Sequence, residues 1–194
     1  MGHWLETQDT METTRQYRYE IDENDCIVAV DEAWLEFARS NGASWLTRDS
    51  VIGEPLDRFI IGWQANDLYA HLIALLRSTG KTTTLPFRCD TPHARRDMVL
   101  EIAPLANGHV RFTGRLEREI PHPPIPLLDP EYTRSEQKLP ICSLCLRIQP
   151  GNGEWAEIEV ALAAPYASPA SGLPRLRHEV CPDCIDLMRN AAIG

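Results

Sequence analysis

The chain has 194 residues, 43% of them hydrophobic, enough for one ordinary domain with a packed core and a small appendage. Its 19 basic and 28 acidic side chains leave a formal charge of -9, which opposes attraction to phosphate backbones and anionic lipid, so neither nucleic acid nor membrane is an expected partner. Basic groups such as Arg95-Arg96 and Arg175 with Arg177 are too short for a binding stripe. No run approaches the roughly 20 apolar residues of a membrane span, and residues 1–16 lack the apolar core of a secretion signal. The expected compartment is the cytoplasm, where thiols stay reduced.

Residues 1–16 are polar, with Trp4, Leu5 and Met11 as scattered anchors, and read as an N-terminal tail or short helix. Tyr17-Arg18-Tyr19-Glu20-Ile21 then alternates as a half-buried strand does. Asp22-Glu23-Asn24-Asp25 is a turn, and Cys26-Ile27-Val28-Ala29-Val30 a second strand. Asp31 stands where a cap belongs, before a helix carrying Trp34, Leu35, Phe37 and Ala38, and Asn41-Gly42 stops it. After a loop region with Val51-Ile52-Gly53 and Phe59-Ile60-Ile61, Leu68, Leu72, Leu75 and Leu76 predict a helix over 66–77 with those leucines inward. Three strands follow over 82–89, 97–104 and 109–117, the last two joined by an Asn107-Gly108 hairpin turn. Two strands, several helices and three strands are satisfied most economically by one antiparallel sheet with helices on one side, an α+β domain over 17–119.

The composition shifts at Pro121-His122-Pro123-Pro124-Ile125-Pro126, which can neither continue a helix nor donate regularly to a sheet, so 120–140 reads as a proline-rich linker. Beyond it, over 141–194, stand two pairs of identical shape, Cys142-Ser-Leu-Cys145 and Cys181-Pro-Asp-Cys184. Two thiolates three positions apart face one cation from a tight turn, and a second such turn completes a tetrahedron, so the expected product is a closed structural zinc site. About 35 residues separate the pairs, more than a compact zinc ribbon has, and an inserted element must bridge them. Trp155, Ile158 and Leu162 recur at helical spacing and predict a short amphipathic helix over 154–162, followed by a looser stretch over 163–173. Leu176, Val180 and Ile185 then offer apolar cover. The competing readings are a disulfide or redox switch and unligated thiols. His178, three residues before Cys181, is either a neighbour of the site or a replacement ligand.

Over 17–119 the chain resembles the PAS sensor domain, through its element order, through Val30-Asp31-Glu32-Ala33-Trp34-Leu35-Glu36-Phe37-Ala38 after the second strand, and through Val51-Ile52-Gly53-Glu54-Pro55-Leu56. The resemblance implies a five-stranded sheet and a helical side wall around a small cavity. Asp31 stands where that pattern often has asparagine, which leaves capping intact. The tail, through Ile141 to Cys145, Trp155 with Ile158-Glu159, and His178-Glu179-Val180-Cys181-Pro182-Asp183-Cys184, is similar to a C-terminal element found beside PAS and receiver domains in bacterial signalling proteins. Those relatives commonly carry a lysine pair after the second cysteine and a shorter middle; Leu146-Arg147 and the stretch over 163–173 depart from that.

The resulting expectation is a cytoplasmic sensory protein in which a zinc knuckle stiffens an output surface for a signalling partner. Pairing of two copies through residues 1–16 and the outer sheet face is a further expectation. The alternatives are a haem or other cofactor sensor with His71, on the predicted long helix, as axial ligand, and a thiol redox switch. Cys26 and Cys89, on predicted strands, read as ordinary buried thiols rather than sites of a flavin adduct. No catalytic activity is expected. Four cysteines leave a zinc ion no open position for water, no nucleophile elbow, phosphate loop or His-Glu-X-X-His helix is present, and Asp22, Glu23 and Asp25 serve the turn.

Overall fold

The computed structural model describes residues 15–151, 153–161 and 172–191. Strands β1 (Gln16–Ile21), β2 (Ile27–Val30), β3 (Thr83–Arg88), β4 (Ala94–Pro104) and β5 (Val110–Pro121) form one five-stranded antiparallel sheet in the order β2-β1-β5-β4-β3. The fold is therefore α+β and PAS-like, with the sheet and helical wall that the resemblance implies. Asp22 closes the first hairpin, its carboxylate accepting from the amides of Asn24 and Cys26 at 2.9 Å each. Alternation then decides what the sheet buries. Ile21, Leu85, Leu100, Ile102, Val110 and Phe112 are buried in one core, while Arg18, Glu20, Glu101 and Arg111 line the opposite face.

The wall is made of α1 (Glu32–Ser40), the short α2 (Arg48–Val51), a 3-10 turn at Leu56–Phe59 and α3 (Trp63–Thr79). Asp31 caps α1 as expected, accepting from the Trp34 amide at 2.7 Å. Helix α3 extends beyond its predicted bounds at both ends, because nothing from Trp63 onward interrupts it and Gly80, in the left-handed region at φ 69°, terminates it. Its buried residues are Ala65, Leu72, Ile73 and Leu76, with Leu68 and Leu75 only half-buried. The expected leucine stripe is thus rotated toward Ile73, since α3 packs against β4 on one side and against the tail on another. Strand β5 likewise continues to Pro121, paired with the beginning of β4, and the ion pairs Arg96–Glu119 at 2.5 Å and Arg118–Asp97 at 2.6 Å hold this polar extension together.

The stretch expected as a linker has structure at both ends. A 3-10 turn at Pro126–Leu128 buries Ile125 and Leu127, and β6 (Arg134–Cys142) begins well before the cysteines. Strand β6 pairs in parallel with β7 (Leu173–Glu179). The helix expected over 154–162 is reduced to α4 (Ile158–Ala161), and Leu162 lies outside the described residues. Ala156 instead forms a bridge with Ile148, exchanging backbone hydrogen bonds of 2.9 Å in both directions, and so keeps the preceding residues extended. A helix this short has little cooperative stability to set against such pairing. Ile158 anchors a second apolar cluster with Ile125, Leu127, Leu139, Ile141, Ile148 and Leu173.

Helix α5 (Pro182–Ala191) closes the tail, with proline at its first position, where no amide partner is lost. The tail does not swing free. Cys142, Leu144, Val180, Cys181, Cys184 and Met188 share one buried core with Leu72, Ile73, Leu76 and Leu85. Backbone and side-chain bonds secure the junction: Arg88 N to Leu144 O at 2.7 Å, Ser143 Oγ to Ile61 O at 2.9 Å, Val180 N to Gln64 Oε1 at 3.0 Å and Thr83 Oγ1 to Ala191 O at 3.0 Å. Gly62, at φ +100°, permits the closest approach, because a Cβ there would stand 3.1 Å from the His178 carbonyl oxygen. Among the described residues no helix is long and apolar enough to cross a membrane.

Candidate metal centre

Cys142 ends β6, Cys145 follows in a tight turn, Cys181 immediately precedes α5, and Cys184 sits in its first turn. The first turn is closed by the Leu146 amide donating to Cys142 O at 3.0 Å and the Cys142 amide donating to Arg147 O at 2.8 Å, with Leu146 left-handed at φ 58°. The second is the opening of a helix, where the Ile185 amide donates to Cys181 O at 3.0 Å. Two elements remote along the chain thereby bring four sulfur atoms within 4.8 Å of one another. Cys145 and Cys181 stand 3.7 Å apart, sulfur to sulfur. A tetrahedron built on a metal–sulfur distance of about 2.3 Å has edges of about 3.8 Å. All six cysteines are free. The spacing is that of ligands around one ion and far beyond a covalent S–S bond.

The electrostatics point the same way. Hydrogen bonds from Cys142 foremost, then Cys181 and Cys184, with help from Arg147, hold the Cys145 thiol well below its ordinary range. Cys181 and Cys184 are pushed up, because their hydrogen bonds with Cys142 and Cys145 favour the protonated form beside a thiolate already present. Without a cation the group tolerates only part of its possible negative charge. A divalent ion would remove that restriction and accept all four as thiolates. Tetrahedral sulfur donors of this kind suit zinc or iron.

Arg147 is the functional residue that cysteine spacing alone misses. Its guanidinium stands 3.3 Å from Cys145 Sγ and 3.1 Å from Cys181 Sγ, and it also pairs with Asp183 at 2.7 Å. It offsets negative charge on the cluster and orients two of the sulfurs. The available signal was a cation two positions after Cys145, close to where the similar elements carry lysines. A second cation, Arg88, is buried with Asp90 and reaches Glu157 at 2.8 Å and Glu159 at 2.6 Å, tying the end of β3 to α4 and the residue before it. Sequence reasoning had no handle on it, since a buried arginine and a surface one are spelled alike.

His178 lies outside the four-sulfur group, and burial lowers its basicity. His71 is exposed, with Nδ1 2.8 Å from the Asp67 carbonyl oxygen on its own helix. The domain does contain a cavity, of about 370 Å³, between the sheet and the helical wall, with Tyr19, Trp34, Phe37, Phe59, Tyr69 and Phe87 among its lining residues. The structure does not bring His71 to it. Cys89 lines the cavity and Cys26 does not, and both are separate from the four-sulfur cluster.

No protein-family model matches this chain, and no curated protein matches it significantly. Among solved structures it is similar to a sensory box sensor histidine kinase from Vibrio cholerae, at 9% identity over 54% of this chain and 81% of that one, with a TM-score of 0.37. A domain of an HTR-like protein from Haloarcula marismortui ATCC 43049 aligns at 14% identity over 54% of this chain and 100% of its own length, with a TM-score of 0.36. The PAS domain of an HTR-like protein from Haloarcula marismortui aligns at 17% identity over 56% and 84%, with a TM-score of 0.33. These likenesses are loose. The fold described above stands on the strand order and helix placement of this chain.

Proposed function

We propose that this chain is a cytoplasmic sensory protein without catalytic activity, in which the sheet domain receives a signal and the cysteine tail, stiffened by structural zinc, presents the response to a signalling partner. The observation that carries this reading is a shared wall. Phe59, Ile60 and Tyr69 line the interior cavity, and the same three residues line a pocket of about 240 Å³ at the junction with the tail, opposite Ser143, Leu144 and His178. Whatever moves this wall from inside bears on the first cysteine turn from outside.

Zinc is favoured over other ions because four thiolates form a closed tetrahedral set, and structural zinc sites are built in that way. A full shell leaves no position for a reacting water, which supports a role in signalling rather than hydrolysis. Arg88 and the junction bonds support the tail as a rigid output surface rather than a tethered one. Self-association through the outer sheet face belongs to the same proposal, with sedimentation across a concentration series as its check. Hydrogen exchange of the full chain before and after chelation tests the central idea. Zinc removal should raise exchange over 141–148 and 180–188 and also over 59–69. A change confined to the tail would disconnect the site from the sensor.

A further inference from the structure

The cavity in the sheet domain has a chemistry more specific than its size. Seven of its fourteen lining residues are aromatic, and none carries a charge. Cys89, the other titratable group besides the tyrosines, is held neutral by burial. Arg96, whose guanidinium sits 5.8 Å from the Phe37 ring centre, is not part of the lining and is engaged by Glu119 and Asn41. An anionic or cationic ligand would lose its hydration here and meet no countercharge. Flat rings, by contrast, would find both faces and edges of other rings.

Among the polar groups that interrupt the apolar wall, two tyrosine hydroxyls are the most deeply buried. The hydroxyls of Tyr19 and Tyr69 belong to this lining and are close enough to interact electrostatically with each other. Burial raises both, Tyr69 to about 12, so each remains a neutral donor and acceptor. Tyr19 is held in place by stacking on Phe112, with ring centres 4.6 Å apart, and Tyr69 by its position on α3. They are fixed points at which a ligand could be oriented.

We propose that the cavity binds an uncharged small molecule of about two aromatic rings, bearing one hydroxyl or carbonyl that meets the Tyr69 hydroxyl. This rests on the sensor reading and specifies what the sensor takes. Because Tyr69 also lines the junction pocket, the polar end of the ligand lies on the wall that the cysteine tail touches.

The test uses the full zinc-loaded chain and matched probes. Neutral 2-naphthol, read as the dye by its own fluorescence, should bind once per chain, at least about tenfold more tightly than its sulfonated analogue, because the sulfonate finds no cation. Gly114 faces the cavity from β5, and a Cβ there makes only ordinary contact with Tyr17, so Gly114→Leu should fill the space and abolish binding. Tyr69→Phe should weaken naphthol about three- to tenfold and leave naphthalene unchanged. Zinc content and thermal melting of each variant distinguish misfolding from a filled cavity, and Tyr69→Phe, nearly isosteric, keeps the test open if Gly114→Leu does not fold. Equal binding of the sulfonate, dye binding retained by folded Gly114→Leu, or no dye binding by the unaltered chain would overturn the proposal. With chelation still loosening 59–69, such a failure would leave the sensor reading standing.

Discussion

The sheet domain and the cysteine tail lie against each other, yet they are held together by different means. In the domain, Phe112, Ile102 and Ile21 are fully buried between a twisted sheet and its helices, and apolar burial alone accounts for their order. The tail has a thinner inventory: a seven-residue apolar cluster, a two-stranded parallel sheet, a borrowed place in the larger core, and four thiols. A small module of this kind would depend on an ion held by those thiols in a way the domain does not. Where apolar layers are scarce, metal–ligand bonds and docking replace them.

The sharpest way to break this comparison is to remove the ion. Structural zinc contributes about 10–16 kcal/mol in small isolated modules, so Cys184→Ser or chelation should open 141–191 to protease while 17–119, apart from the loosened wall at 59–69, stays resistant. Next in size are paired core truncations. Phe112→Ala should cost about 3–5 kcal/mol and lower the melting of the whole chain, whereas Ile158→Ala should cost about 2–5 kcal/mol and loosen the tail first; residue-resolved hydrogen exchange separates the two patterns.

The Arg88 contact sharpens the boundary between the regions. Arg88→Met leaves buried Asp90 without its cation and should cost about 3–5 kcal/mol, read by denaturant unfolding. The same contact gives a pH signature. Burial alone would raise Glu159, but its hydrogen bond from Arg88 outweighs this and holds the carboxyl below the usual glutamate range. Its contribution is therefore present above the unfolded glutamate value and lost as pH falls through the depressed folded value. Tail protection should decline in acid, and less steeply in Arg88→Met. The smallest effect is expected at Gly62→Ala, where a backbone conformation that only glycine adopts readily, together with the His178 carbonyl 3.1 Å from the new Cβ, should cost about 1–3 kcal/mol and show as increased exchange at the junction.

These differences also explain what could be read in advance. Tyr17 to Ile21 alternates plainly, and Leu85, Phe87 and Cys89 do so over 82–89, while 97–104, with Met98, Val99 and Leu100 in a row, was legible from the Asn107-Gly108 turn that follows it. The sulfur site was legible from spacing, because thiol pairs three positions apart have few other uses. The tail's backbone was harder. Leu139 and Ile141 do alternate, but they flank Pro140 and follow a proline run, so local composition masked a strand that exists only because β7 returns to pair with it. The Trp155, Ile158 and Leu162 spacing suggested a helix, and the tertiary bridge between Ala156 and Ile148 overrode it. Ile73 on α3 was missed for a related reason: its burial reflects a helix packed on two sides, one of them by α5.

Native mass spectrometry of the purified chain, combined with elemental analysis and a thiol count before and after denaturation, tests the four-sulfur site most directly. One zinc per chain is expected, with Cys142, Cys145, Cys181 and Cys184 protected from alkylation until the ion is removed and the zinc lost in Cys142→Ser. A metal-free mass with all four thiols reactive in the folded chain, or with two disulfides among them, would contradict it.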